Sequence, residues 1–143
     1  MMPAVIVDTN VVVAGLLTKH ADAPVARILD GMLQAAFAFV VSGSLLAEYR
    51  DVLHRPAIRK AHGLDDNEIE TLMIALAEHA IVLTPIAAEP APDPGDQHLW
   101  ELLAARTDLR LVTGDKLLLD QQREQRRVIT PAAFVELWMP LSP

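Results

Sequence analysis

Short unbroken apolar runs alternate along this chain with segments whose apolar positions recur every three or four residues. Ala4-Val5-Ile6-Val7 is uninterrupted and β-branched, as in a strand buried on both faces, and predicts a first strand over residues 4–8. From Pro24 to Ala36, Val25, Ile28, Leu29, Met32 and Leu33 fall at helical spacing. Phe37 to Val41 predicts a second short strand, and Ser42 or Ser44 caps a helix that runs to about His54. Pro56 interrupts that helix, and a short basic segment follows. Asp65-Asp66-Asn67-Glu68 opens a further helix with an acidic first turn, and Ile69, Leu72, Met73, Leu76 and Ala80 form its stripe. Ile81-Val82-Leu83 is a third strand. Residues 84–95, with Pro85, Pro90, Pro92 and Pro94, exclude regular structure and read as a loop within the domain.

Beyond that loop, Asp96 begins a helix to about Arg106, and Leu109 to Thr113 is a fourth strand. Gly114-Asp115 leads to a short helix, Val128-Ile129 is a fifth strand, and Thr130-Pro131 supplies a capping hydroxyl and a first-position proline for the last helix. Strand–helix alternation of this kind predicts an α/β fold with a parallel sheet between helices. At 143 residues the chain is expected to form a single domain over residues 1–143.

Composition narrows the function classes. The net charge of −7 argues against broad nucleic-acid binding through a basic surface, although acids gathered in one pocket can be cancelled by divalent cations. Two basic clusters, Arg50, Arg55, Arg59 and Lys60, then Arg123, Arg126 and Arg127, read first as solvated helix faces. The absence of cysteine excludes disulfides and thiolate metal sites. No apolar run approaches the ~18 residues that span a bilayer, and no signal peptide opens the chain, so a cytoplasmic protein is expected. The hydrophobic content of 52%, with the tail from Phe134 to Leu141, allows for a partner or a second copy, although such a tail also serves to cover a sheet.

The chemistry lies in the acids. Asp8 ends an apolar strand, and in parallel sheets ligands bind beyond the carboxyl ends of strands; Asp8 or Asn10 at a helix start is also an ordinary cap. Asp115 repeats the arrangement after Leu111-Val112-Thr113, with Gly114 permitting a sharp turn. At ~100° per residue, Glu48 falls beside the Leu45, Leu46, Tyr49, Val52, Leu53 stripe of its helix, on the boundary between core and surface. Asp96 shares a face with Leu99, Trp100 and Leu103 and heads an inward stripe, while also suiting an N-cap; Asp93 is a second, less fixed candidate. Carboxylates gathered this way repel one another and call for a hard cation, Mg²⁺ or Mn²⁺. His20, His54, His62, His79 and His98 show no zinc-ligand spacing. The chemistry implied is phosphodiester hydrolysis by a metal-activated water. An aspartyl-phosphate phosphatase is disfavoured by Asn10, where a second aspartate is wanted, and neither a dinucleotide-binding glycine turn nor a P-loop is present.

Val5-Ile6-Val7-Asp8-Thr9-Asn10, Leu45-Leu46-Ala47-Glu48-Tyr49, Asp93-Pro94-Gly95-Asp96 and Leu111-Val112-Thr113-Gly114-Asp115-Lys116 together resemble the PIN domain. The resemblance is closest to the branch of toxin components of toxin–antitoxin pairs, related to the VapC ribonucleases, and covers nearly the whole chain. It implies a three-layer α/β/α sandwich with a central parallel sheet of four to five strands, and a Mg²⁺- or Mn²⁺-dependent endoribonuclease. Carried over position by position, it implies Asp8, Glu48, Asp96 and Asp115 as catalytic and metal-binding acids, supported by Thr9, Asn10, Asp93 and Thr113. It also implies an RNA substrate, a cognate antitoxin and a homodimer. The chain departs from the pattern at Gly95, where this branch usually carries another acid. The rival expectation is a non-catalytic PIN-like module that binds a protein partner or RNA without cutting it.

Overall fold

A computed structural model describes residues 3–120 and 127–140. Strand β1 (Val5–Val7) is buried along its whole length and runs into helix α1 (Thr9–Leu17). Helix α2 (Pro24–Leu33) starts on a proline, whose fixed φ suits the first helical position. It stops three residues short of the expected Ala36, because Ala35 takes a left-handed φ of 54°. Strand β2 (Val40–Val41) is followed by α3 (Gly43–Leu53), which Ser42 caps by accepting from the Leu45 amide at 3.1 Å. The basic segment after Pro56 is a helix, α4 (Pro56–His62), closed by Gly63 at φ 71°. Helix α5 (Asp66–His79) opens with a capping box: Asp65 accepts from the Glu68 amide at 2.8 Å, and Glu68 accepts from the Asp65 amide at 3.1 Å.

Strand β3 (Ile81–Val82) is an exposed edge, and the proline-rich segment after it lacks regular structure as far as a single 3-10 turn at Pro94–Asp96. Helix α6 (Gln97–Leu103), strand β4 (Arg110–Val112), helix α7 (Lys116–Asp120), strand β5 (Val128–Ile129) and helix α8 (Pro131–Trp138) complete the chain. Thr130 caps α8 by accepting from the Ala133 amide, as its sequence signals.

All strand pairings among the described residues are parallel, as the strand–helix alternation predicts. Strand β4 lies between β1 and β5, with Val5 opposite Arg110 and Val7 opposite Val112, while β2 pairs with β3. The expectation of four to five strands in one central sheet is therefore corrected to a three-stranded sheet beside a two-stranded one. The two are linked by a single bridge, Val5 to Phe39, on the edge of β1 away from β4. On the same strand the Val7 carbonyl accepts from the Tyr49 hydroxyl at 2.5 Å. Tyr49 is wholly buried, and burial raises its phenol well above the ordinary 10, so it remains a donor.

One apolar core, including Ile6, Ile28, Phe39, Leu45, Leu76, Leu99, Leu111 and Phe134, joins both sheets to the helices. The chain's tail contributes to it: Phe134 meets the rings of Phe37 and Trp138 edge-on or tilted, and Arg27 donates to the Met139 carbonyl. Leu141, expected to extend that tail, lies outside the described residues. No helix among the described residues is long and apolar enough to cross a membrane.

Candidate active site

The β1–β4 register carries the site. Because Val7 faces Val112, the residues that follow each strand, Asp8 and Thr113, emerge at the same sheet edge. The Asp8 amide donates to the Val112 carbonyl at 2.9 Å, extending the ladder to the acid itself. Asp8 Oδ1 then accepts from the Thr9 amide at 2.7 Å and caps α1, while Oδ2 accepts from Thr113 Oγ1 at 2.8 Å and Asn10 Nδ2 at 3.3 Å. Capping thus does not take Asp8 out of the site's cleft: one carboxylate heads α1 and lines that cleft. Burial raises the Asp8 pKa; the hydrogen bonds from Thr113 and Thr9 oppose the rise, and the charges of Glu48 and Asp115 add to it.

The second strand end is held by the same hydroxyl. Thr113 Oγ1 accepts from the Asp115 amide at 3.0 Å, and Asn10 Oδ1 accepts from the Gly114 amide at 3.2 Å, which locks the β4–α7 turn against the start of α1. Asp115 Oδ1 accepts from the Leu117 amide at 2.9 Å at the head of α7. Glu48, from the middle of α3, accepts from Thr9 Oγ1 and contacts His98 Nε2 at 3.0 Å.

Asp96 resolves differently from its sequence alternatives. The capping work at this turn falls to Asp93, which accepts from the Gly95 amide at 2.8 Å, and the Asp96 side chain makes no capping bond. Asp96 therefore presents an uncommitted carboxylate. Its pKa is raised to about 6, first by burial and then by the charges of Asp8, Asp115, Asp93 and Glu48.

Asp8, Thr9, Asn10, Glu48, Asp96 and Asp115 line one cleft of about 510 Å³, with Val13, Leu17, Val52 and Ile58 on its apolar wall. Asp93 does not line it and acts there only through its charge. Arg55 does line it, at the head of α4, and the sequence offered no sign of that beyond membership of a basic cluster. Arg55 also lies 3.8 Å from Asp51, and two others of that cluster are paired: Arg50 with Glu70 at 2.7 Å and Arg59 with Asp66 at 2.8 Å. In the second cluster, Arg127 donates to the carbonyls of Leu103, Arg106 and Leu109 and so ties the end of α6 to β5; Arg123 and Arg126 lie outside the described residues.

The donor set has the right chemistry for a hard divalent cation: oxygen ligands only, charged alike, two of them with pKa raised by burial and by neighbouring acids. Among the described residues, however, no three acid or histidine side chains stand at ligand spacing as placed.

A parallel α/β domain with acids at two adjacent strand ends, a helix glutamate and a free loop aspartate defines a class. The sequence matches the PIN domain family over residues 4–117, a span that contains Asp8, Glu48, Asp96 and Asp115, and the chain belongs to that family. PIN domains are nuclease-type domains. Among curated proteins none matches the chain.

Proposed function

We propose that the protein is a metal-dependent endoribonuclease that hydrolyses RNA phosphodiesters, with Asp8, Glu48, Asp96 and Asp115 holding Mg²⁺ or Mn²⁺. The observation that carries this reading is Asp96, a helix-start aspartate that caps nothing and whose carboxyl is pushed to about 6 in a cleft shared with three other acids. A bound cation would lower the pKa of a water and take up charge developing on the phosphate.

The chain's own residues do the rest. Thr9, Asn10 and Thr113 fix the Asp8 carboxylate with respect to Asp115 and Glu48. Arg55 at the cleft offers a guanidinium to an RNA phosphate, a local attraction within a chain of net charge −7. Val13, Leu17, Val52 and Ile58 keep water from one side of the cleft.

The test is cleavage of a structured RNA pool by wild type and Asp8→Asn, with Mn²⁺ and with EDTA. The expected result is cutting that EDTA abolishes and that Asp8→Asn reduces by at least about 100-fold, with the melting temperature unchanged or raised. The lack of ligand spacing among the acids as placed favours a second reading, a PIN-like module that binds a protein partner or RNA without cutting. Folded, Mn²⁺-saturated wild type that retains RNA uncut would select it.

The role of toxin in a toxin–antitoxin pair belongs to the same proposal and rests on the motif resemblance. A small neighbouring open reading frame whose product blocks cleavage is its expected support. Homodimer formation is supported by the exposed apolar edge at Val82 and Ile86 and is checked by light scattering in solution.

A further inference from the structure

His98 belongs to no ligand spacing in the sequence, yet Glu48 rests against it. The Glu48 carboxylate meets a donor on each oxygen: Thr9 Oγ1–H on Oε1, and His98 Nε2 on Oε2 at 3.0 Å. The His98 side chain is 18% exposed against 32% for Glu48, and its Nδ1 is buried with no partner. The bond to Glu48 is thus the one polar contact the ring makes among the described residues. A carboxylate only accepts, so Nε2 carries the hydrogen.

A buried ring nitrogen left unsatisfied costs stability, and a leucine between α3 and α6 would avoid that cost. Packing alone therefore does not explain an imidazole here; the hydrogen bond to Glu48 does. The cleft supplies the need for it. The Glu48 charge is felt by both Asp8 and Asp96, so the three acids repel, and a glutamate side chain free to rotate would swing away from the other two. Two donors use about half the lone pairs of the carboxylate and leave the remainder for a further contact.

We propose that His98 is a positioning residue for Glu48: it holds the carboxylate against like-charge repulsion, ties α3 to the helix headed by Asp96, and thereby sets the cation affinity of the cleft. This rests on the cation-binding reading of the site, and the test separates the two. Free Mn²⁺ is titrated by electron paramagnetic resonance against wild type, His98→Ala, His98→Gln, Glu48→Gln and the double variant Glu48→Gln/His98→Ala.

Wild type is expected to bind Mn²⁺, His98→Ala to bind about 10–100-fold more weakly, and His98→Gln, whose amide can donate to Glu48, to recover most of the loss. In the Glu48→Gln background the alanine is expected to change nothing further. If His98→Ala fails to fold, His98→Leu, which fills the same space, carries the comparison. Wild-type affinity in the folded alanine or leucine variant, equal losses for glutamine and alanine, or an undiminished loss in the Glu48→Gln background would each overturn the proposal and leave the cation site standing. Wild type that binds no Mn²⁺ would overturn both.

Discussion

Thr113 Oγ1 is a three-way junction, donating to Asp8 and accepting from the Asp115 amide and from Asn10 Nδ2. Thr113→Val keeps the shape and removes all three bonds, which leaves Asp8 Oδ2 with only the longer 3.3 Å bond from Asn10 and strands a backbone amide. A loss of about 1–3 kcal/mol in urea denaturation near neutral pH is expected. The deficit should narrow as the pH falls toward 3.8, because a protonated Asp8 no longer depends on the hydroxyl to support its charge. Asp8 and Asp115 were legible in the sequence because each directly follows an apolar strand, and the parallel register did what the spacing implied. Asp96 was legible only as a candidate. Whether Asp93 or Asp96 caps that turn depends on backbone angles within Asp93-Pro94-Gly95-Asp96, which no pattern of residue types reports. His98 left no signal, since its partner Glu48 is 50 residues away and meets it only after folding, and Arg55 showed only as one of a basic cluster.

Among the elements, the α1–α2 contact is set by Gly15, where an added Cβ would stand 2.5 Å from the Val25 carbonyl oxygen. That oxygen is backbone and cannot rotate away, so Gly15→Ala should destabilise by about 1–3 kcal/mol, read as a lower denaturation midpoint at unchanged slope. Gly43→Ala, facing open space in the first turn of α3, should instead be neutral or stabilising by up to about 1 kcal/mol. The contrast isolates close packing from helix propensity. Element type was largely readable here, because caps, prolines and apolar spacing act locally: Ser42, the Asp65–Glu68 box and Thr130-Pro131 all begin helices as expected. Extents were less so. The division of the sheet was hidden because strand pairing rests on contacts between residues far apart in the chain, such as Val5 with Phe39 and Ile6 with Leu111.

For the molecule as a whole, the crowded acids set the response to pH. Asp96 titrates at 3.8 when unperturbed and at about 6 in the fold, so folding favours its neutral form. Its stabilising contribution is complete below 3.8 and lost as the pH rises through about 6; Asp8 is shifted in the same direction. In EDTA, the melting temperature should therefore be higher near pH 5 than near pH 8, and Asp96→Asn should flatten that slope. Saturating Mg²⁺ should restore stability chiefly at the higher pH, and calorimetry across the range checks both. The pairing of β1 with β4 joins residues 5–7 to residues 110–112 and sets a schedule as well. A chain emerging from the ribosome holds Asp8 and Glu48 long before Asp115, and β1 has no neighbour on that edge until β4 is made. The cleft is therefore closed only when β4 has docked beside β1, however early its first acids are made.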